Sequence, residues 1–164
     1  MLGAISNSIG RAESVAAAVQ MLRSGGATYV IHLGDIGGRH VLDALGGPLG
    51  VSCGFVWGDR DRDRMGLMRY GNSVGVECLG LISDFEYEGQ RVVAIHGEDR
   101  KVLRRLLDEQ QYDLILVGHE MSIEDYTVGK TRVLNPGPLH GASSGDGSAM
   151  LLDCASGKLK LLPL

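Results

Sequence analysis

Tyr29-Val-Ile-His-Leu-Gly-Asp35 is a short, mainly apolar run that ends in one glycine and one aspartate. A run of about four to eight apolar residues that a glycine ends is typical of a buried parallel strand. The carboxylate of Asp35 is therefore predicted at the carboxyl end of a strand, which is where open α/β sheets bind their ligands.

Four other polar residues follow apolar runs in the same way. They are Asn7 after Leu2–Ser6, Asp59 after Val51–Trp57, His96 after Val92–Ile95 and His119 after Leu114–Gly118. Because ligands of such folds bind at the carboxyl ends of strands, five polar side chains in these positions predict a metal site at the rim of a sheet.

Composition limits the kind of protein. The 164 residues predict a single domain, residues 1–164, and the hydrophobic and charged fractions, 44% and 22%, are ordinary for a globular protein. A net charge of −4 argues against nucleic acid as a specific partner. The chain has no apolar run of about 18 residues, no secretory signal pattern and no CxxC pair among its three cysteines, so we expect a cytoplasmic protein that does not bind membranes.

Strand and helix patterns alternate in the first half of the chain and give way to hairpins in the second half. The predicted helices are Arg11–Arg23, Val41–Leu45, Met65–Tyr70 and Lys101–Gln110, and a strand is predicted at Leu79–Tyr87. Gly141–Gly147 is predicted to be a polar loop. This order favours an α/β fold with two packed mixed sheets and helices outside them, which is a four-layer α/β/β/α sandwich.

The strand-end motifs are Ser6-Asn-Ser-Ile-Gly10, Gly34-Asp35, Gly58-Asp-Arg-Asp61, His96-Gly97, Gly118-His119 and Asn135-Pro-Gly137. In this order they resemble the motifs of the calcineurin-like metallophosphoesterase superfamily, above all its small bacterial and archaeal phosphodiesterase branch. The series is also similar to the retromer subunit of that fold. The resemblance implies two divalent metal ions that share the aspartate at position 35 and promote hydrolysis of a phosphoester.

Three departures from the family pattern fall on the first metal site. Asn7 stands where the family has an aspartate, and Ile9 and Met121 stand where it has histidines. We therefore expect a degenerate first site, in which Asn7 is at most a weak ligand. Ile9 and Met121 are predicted to touch within about 4.5 Å and to fill the space of the lost ion.

The second metal site of the family is matched by Asp35, Asp59, His96 and His119. Two carboxylates and two neutral imidazoles balance the charge of one divalent ion, and this ligand set suits Mn, Zn, Fe or Ni. A protein without any metal is the alternative, in which Asp59 forms a salt bridge with Arg60 or Arg62.

The resemblance predicts a phosphodiesterase that uses one metal ion and has weak or altered activity. Arg60 is predicted to clamp the phosphate, and Glu98 is a candidate base; the alternative for both is a side chain that only faces water. By resemblance, Asp61 orients a neighbouring motif and Asn135 is structural.

The alternative function is an inactive family member that acts as a scaffold for a protein partner or as a module that binds a small anionic ligand. A homo-oligomer is a further possibility that the sequence leaves open.

Overall fold

The computed structural model describes residues 1–47, 50–139 and 147–164. The polar loop predicted at Gly141–Gly147 therefore lies outside the described residues except for Gly147.

The first of two sheets contains six strands. They are β1 (Leu2–Ile5), β2 (Tyr29–His32), β3 (Ser52–Phe55), β4 (Val76–Cys78), β10 (Ser148–Leu152) and β11 (Leu159–Pro163). Their order across the sheet is β11-β10-β1-β2-β3-β4, in which β1 to β4 are parallel and β10 and β11 add antiparallel pairs at one side. The parallel half arises from crossovers through the helices α1 (Ala12–Ser24), α2 (Arg39–Gly46) and α3 (Arg64–Ser73).

The second sheet contains five strands. They are β5 (Ile82–Tyr87), β6 (Gln90–Ile95), β7 (Leu114–Val117), β8 (Ile123–Val128) and β9 (Thr131–Pro136). The order is β5-β6-β7-β9-β8; the three central strands are parallel, and β5 and β8 join them as antiparallel hairpin partners. The helix α4 (Arg100–Glu109) connects β6 to β7.

Three apolar clusters separate four layers. One lies between the helices α1 to α3 and the outer face of the first sheet, and includes Val15, Leu42 and Phe55. The second lies between the two sheets, and the third packs Leu106 of α4 on the outer face of the second sheet. The predicted α/β/β/α sandwich is confirmed.

The predicted strand at Leu79–Tyr87 is wrong in its first part. Val76–Cys78 pairs in parallel with β3 in the first sheet, whereas Ile82–Tyr87 pairs with β6 in the second. The chain crosses from one sheet to the other between these strands. The strand β4 was not predicted, because three residues at a sheet edge are too few to show an alternating pattern.

Candidate metal centre

The candidate metal centre lies where the carboxyl ends of strands from both sheets meet. Asp35 follows β2 and Asp59 follows β3, so the first sheet supplies the carboxylates. His96 follows β6 and His119 follows β7, so the second sheet supplies the imidazoles. The last three residues of each of these strands are buried, so the polar residue that follows each strand lies at the rim.

Three of the four predicted ligands form a compact group. One ligand atom each of Asp59, His96 and His119 lies within 4.8 Å of the other two. Asp59 Oδ1 is 3.2 Å from His96 Nε2 and 3.6 Å from His119 Nδ1. The imidazole rings of the two histidines meet edge to face, with centroids 5.2 Å apart.

Asp35 adjoins this group and also has a cationic partner. Its Oδ1 lies 3.6 Å from His96 Nε2, and its Oδ2 lies 3.5 Å from Arg60 Nε. The backbone N–H of Arg60 also donates a hydrogen bond to Asp35 Oδ1 at 3.1 Å. The predicted alternative, a salt bridge of Asp59 with Arg60 or Arg62, is wrong, because Arg60 pairs with Asp35 and the basic partners of Asp59 are His96 and His119.

The tautomer of His96 is determined by its buried side. Nδ1 lies 2.6 Å from the carbonyl oxygen of Leu33, which only accepts, so Nδ1 carries a proton and donates it. In the neutral form of this tautomer, Nε2 carries the lone pair and lies 3.2 Å from Asp59 Oδ1. Metal-binding histidines are oriented by the same kind of hydrogen bond from the other ring nitrogen.

Asp61 holds the loops of the two aspartates together. Its carboxylate accepts hydrogen bonds from the backbone N–H groups of Asp35, Ile36, Gly37 and Gly58 at 2.8–3.3 Å. Burial raises the pKa of Asp61, and the backbone donors oppose that effect. The residue is thus positioned to orient the neighbouring Gly34-Asp35 motif, as the resemblance implied.

The motif glycines are required by how closely the loops approach one another. A Cβ atom at Gly58 would collide with the backbone nitrogen and carboxylate of Asp35, and one at Gly34 would lie 2.6 Å from His96 Nδ1. At Gly118 it would collide with Ser6 Oγ.

Several non-glycine residues of the rim have left-handed backbone conformations. Asn7, Ile9, Asp35 and His119 have φ values of 51°, 45°, 59° and 57°. Such conformations are uncommon and cluster at functional sites, because the surrounding structure must hold the backbone in them.

Asn7 follows β1 at the same rim, and the degenerate first metal site that the sequence predicts there stays a prediction. Its Nδ2 donates to the backbone oxygen of His119 at 3.3 Å and lies 3.7 Å from Met121 Sδ. Among the residues that the structure describes, Asn7 Oδ1 is one of two buried side-chain polar atoms without a hydrogen-bond partner. Ile9 and Met121 are 37% and 48% exposed, and their mutual contact stays a prediction.

The other predicted residues lie around this centre. Glu98 is exposed two residues after His96, and its role as a base stays a prediction. Asn135 is fully buried; its Nδ2 donates to the Gly118 backbone oxygen at 2.8 Å, and its Oδ1 accepts from the Gly137 N–H. Asn135 therefore supports the turn that presents His119.

Sequence reasoning missed the polar pair behind the rim. Ser8 Oγ lies 2.8 Å from Nε2 of His32, and both residues are completely buried. Burial, with a smaller contribution from the charge of His96, lowers the pKa of His32 to about 3. The sequence does show His32 as a polar residue inside the apolar run Tyr29–Leu33, and this could have indicated a buried polar partner.

The donor set fits a divalent metal ion. Asp59 and Asp35 offer carboxylate oxygens, His96 presents an oriented lone pair, and Asn7 Oδ1 is a buried acceptor that nothing described satisfies. Imidazole and carboxylate together are suited to zinc, manganese, iron or nickel.

Comparisons with known proteins agree with this geometry. A family model described as the calcineurin-like phosphoesterase superfamily domain matches residues 1–157. No curated protein matches the chain by sequence.

Solved structures resemble the fold over nearly its whole length. An archaeal phosphodiesterase is 20% identical, with 99% of each chain covered and a TM-score of 0.92. YfcE, a phosphoesterase from E. coli, is 16% identical over 98% of this chain and 97% of that chain, with a TM-score of 0.68. Vps29 from Entamoeba histolytica, solved in complex with zinc, is 20% identical over 99% and 97%, with a TM-score of 0.67.

Two stacked sheets with acids and histidines converging at one rim define a protein of the metallophosphoesterase class. The chain belongs to the calcineurin-like phosphoesterase superfamily, as the order of the strand-end motifs indicated. None of the helices in the described part of the chain is long and apolar enough to cross a membrane.

Proposed function

We propose that the protein is a phosphodiesterase that uses one divalent metal ion, held by Asp59, His96 and His119 with Asp35 beside them. The observation that carries the proposal is the convergence of three ligand atoms within 4.8 Å, one of them His96 Nε2, whose ring is oriented by the Leu33 carbonyl. A bound divalent ion polarises a phosphoryl group and makes water a better nucleophile at neutral pH.

The residues of the chain have separate tasks in this proposal. Asp35 and Asp59 neutralise the charge of the ion, and Leu33 holds His96 in the tautomer that can bind it. Asn7 marks the degenerate first site, where an amide replaces a charged ligand, so one ion is expected rather than two.

Arg60 is the proposed phosphate-binding residue. Its side chain is 65% exposed and is tethered to Asp35 through Nε, which keeps the guanidinium at the rim. Arg60 also lines a depression of about 230 Å³ in which three arginines, Arg39, Arg60 and Arg62, outnumber two carboxylates, Asp61 and Asp63. Arginines that surround a depression next to the metal centre favour an anionic substrate, because guanidinium groups bind phosphate oxygens in pairs.

The test measures metal content and turnover on the same samples. After incubation with zinc or manganese and removal of free metal, we expect about one equivalent bound. We also expect hydrolysis of bis(p-nitrophenyl) phosphate. Asp59→Ala and His119→Ala should lose both properties, and both side chains are exposed enough for the fold to tolerate the change.

His40→Ala is the matched control, because His40 is an exposed histidine that bonds to the Gly10 backbone oxygen away from the ligand group. It should keep metal and turnover. The proposal is wrong if the native chain binds no metal, or if His119→Ala retains the metal content of the native chain.

A scaffold function is the second candidate, and exposed apolar side chains favour it. Ile123, Tyr126 and Val128 on the edge strand β8 are 47%, 40% and 40% exposed, an arrangement that suits a partner protein. A chain that binds zinc but hydrolyses no phosphodiester would favour this function over the hydrolase.

A module that binds an anion without metal is the third candidate, and the arginines around Arg60 favour it. Calorimetric titration of the metal-free protein with inorganic phosphate tests it. Binding that Arg60→Ala abolishes, in a chain without diesterase activity, would support the anion-binding function.

A further inference from the structure

A cavity of about 180 Å³ with a largely apolar lining lies at the end of β6, the strand that His96 follows. Its apolar wall consists of Leu81, Ile82, Ile95 and Val102. His96 forms part of the same wall, so the cavity and the ligand group share a residue.

Two side chains of the cavity are unusually exposed for their type. Leu81 is 51% exposed and the adjacent Ile82 is 44% exposed. They lie where the chain crosses from the first sheet to the second, and backbone hydrogen bonds hold both sides of the crossing: Trp57 N–H donates to Gly80, and Ile82 pairs with Ile95. The cavity is therefore preformed, and an apolar ligand would cover surface that now faces water.

The size of the cavity limits what it can hold. An apolar cavity of roughly 150 Å³ accommodates one benzene molecule. At about 180 Å³ the cavity beside His96 accepts one six-membered ring and is too small for two.

The charges at the cavity exclude a second anionic group. Glu98 and Asp99 lie at its edge, and Asp99 Oδ1 accepts hydrogen bonds from the N–H groups of Lys101 and Val102. The cavity has two carboxylates and no cation in its lining, whereas three arginines outnumber the two carboxylates of the depression with Arg60, so an anion is favoured there. The phosphate is thus favoured on the Arg60 side and a neutral group on the Leu81 side.

We infer that the cavity formed by Leu81, Ile82, Ile95 and Val102 binds a single neutral aromatic ring esterified to the phosphate. The preferred substrates are then phosphodiesters in which at least one alcohol carries one six-membered ring. This inference rests on the proposed function, because it places the phosphate at the metal centre.

Binding of three unreactive diesters tests the inference. Dimethyl, methyl phenyl and diphenyl phosphate differ only in the number of rings and lack a good leaving group. With and without zinc, we expect methyl phenyl phosphate to bind about tenfold more tightly than dimethyl phosphate in calorimetric titrations. Diphenyl phosphate should gain no more than about twofold over methyl phenyl phosphate, since one ring fills the cavity and two equivalent rings can enter it.

Two variants identify the cavity as the origin of the preference. Leu81→Ser and Ile82→Ser should each lower the affinity for methyl phenyl phosphate several-fold and leave that for dimethyl phosphate unchanged. Leu161→Ser is the control, because Leu161 is 45% exposed on β11 and does not line the cavity. Equal affinity for methyl phenyl and dimethyl phosphate, no binding of either, or a ring preference that both cavity variants retain would overturn the inference.

Turnover measured in parallel separates this inference from the proposed function. Ring-dependent binding without hydrolysis of any phosphodiester leaves the cavity assigned and contradicts the hydrolase. Hydrolysis without ring-dependent binding supports the hydrolase and overturns the assignment of the cavity.

Discussion

Gly58 lies so close to Asp35 that one added methyl group would force the two aspartate loops apart. A Cβ atom at position 58 would overlap both the backbone nitrogen and the carboxylate of Asp35. Neither partner can yield without breaking the bonds that Asp61 makes to both loops. Close packing of the two aspartate loops therefore requires glycine at position 58.

Gly58→Ala is expected to lower the free energy of unfolding by about 1–3 kcal/mol, because the added atom overpacks a well-ordered contact. Urea unfolding at pH 7 measures the change. Gly47→Ala is the matched control: its φ is −70°, and the nearest atom to an added Cβ would be 3.4 Å away. An equal cost for both variants would contradict the steric argument.

His32 makes stability depend on pH. Its pKa of about 3 in the folded chain lies below the ordinary value of 6.5, so the unfolded chain takes up a proton at a higher pH than the folded chain does. Stability from this residue is complete above pH 6.5 and is lost as the pH falls from there towards 3. Because the imidazole of His32 is fully buried, solvent does not weaken the effect of its protonation on the unfolding free energy.

Between pH 8 and pH 5, the native chain should lose about 2 kcal/mol more unfolding free energy than His32→Leu does. Urea unfolding at both pH values gives this difference directly. His40→Leu, which removes an exposed histidine, should show the slope of the native chain. If His32→Leu retains that slope, another group causes the acid sensitivity.

The segment between β3 and β6 shows why elements were predicted unequally well. Parallel strands buried on both faces, such as β2 and β7, appear as continuous apolar runs and were recognised. The three-residue strand β4 was not predicted, and the strand predicted at Leu79–Tyr87 began three residues before β5. Pairing with different sheets separates β4 from β5, and no local pattern shows it. The same crossing creates the cavity beside His96, which the sequence therefore could not predict.

Within the described residues, α4 is the only helix on the outer face of the second sheet. Asp99 is the N-cap residue of this helix. Asp99 Oδ1 accepts from the N–H groups of Lys101 and Val102 at 2.9 and 3.4 Å. These are two of the unpaired donors of the first turn, which an N-cap carboxylate satisfies.

Asp99→Ala should therefore cost about 1 kcal/mol of unfolding free energy. Asp108→Ala makes the same chemical change at an exposed position in the last turn of the same helix, and should be neutral or stabilising. Alanine is the better helix former there, and an acidic side chain near the carboxyl end opposes the helix dipole. Chemical denaturation of both variants distinguishes the two positions. An equal loss of unfolding free energy in Asp108→Ala would show that the loss of a negative charge, and not the loss of the N-cap, destabilises the protein.

The centre joins the two sheets, so a bound ion would tie together the halves of the molecule. Asp59 comes from the first sheet, whereas His96 and His119 come from the second. Because the unfolded chain does not keep these ligands together, metal binding is expected to stabilise the folded state.

At a free zinc concentration of about 100 times the dissociation constant, the native chain should gain about 2.7 kcal/mol and melt roughly 5–10 °C higher. Calorimetric melting with zinc, and again after addition of a chelator, measures the gain and its reversal. His119→Ala should show no zinc-dependent shift and His40→Ala the full shift. A shift that survives in His119→Ala would place the ion elsewhere.

The sequence alone determined the order of apolar runs and the polar residue that ends each of them. Those two patterns were enough for the four-layer sandwich and for the candidate ligands, because a strand between two apolar layers must be apolar until it reaches the rim. Tertiary structure alone decided the pairing of Arg60 with Asp35, the burial that depresses the pKa of His32 and the cavity at Leu81. These features depend on distances between residues far apart in the chain, and such distances exist only after the two sheets have packed together.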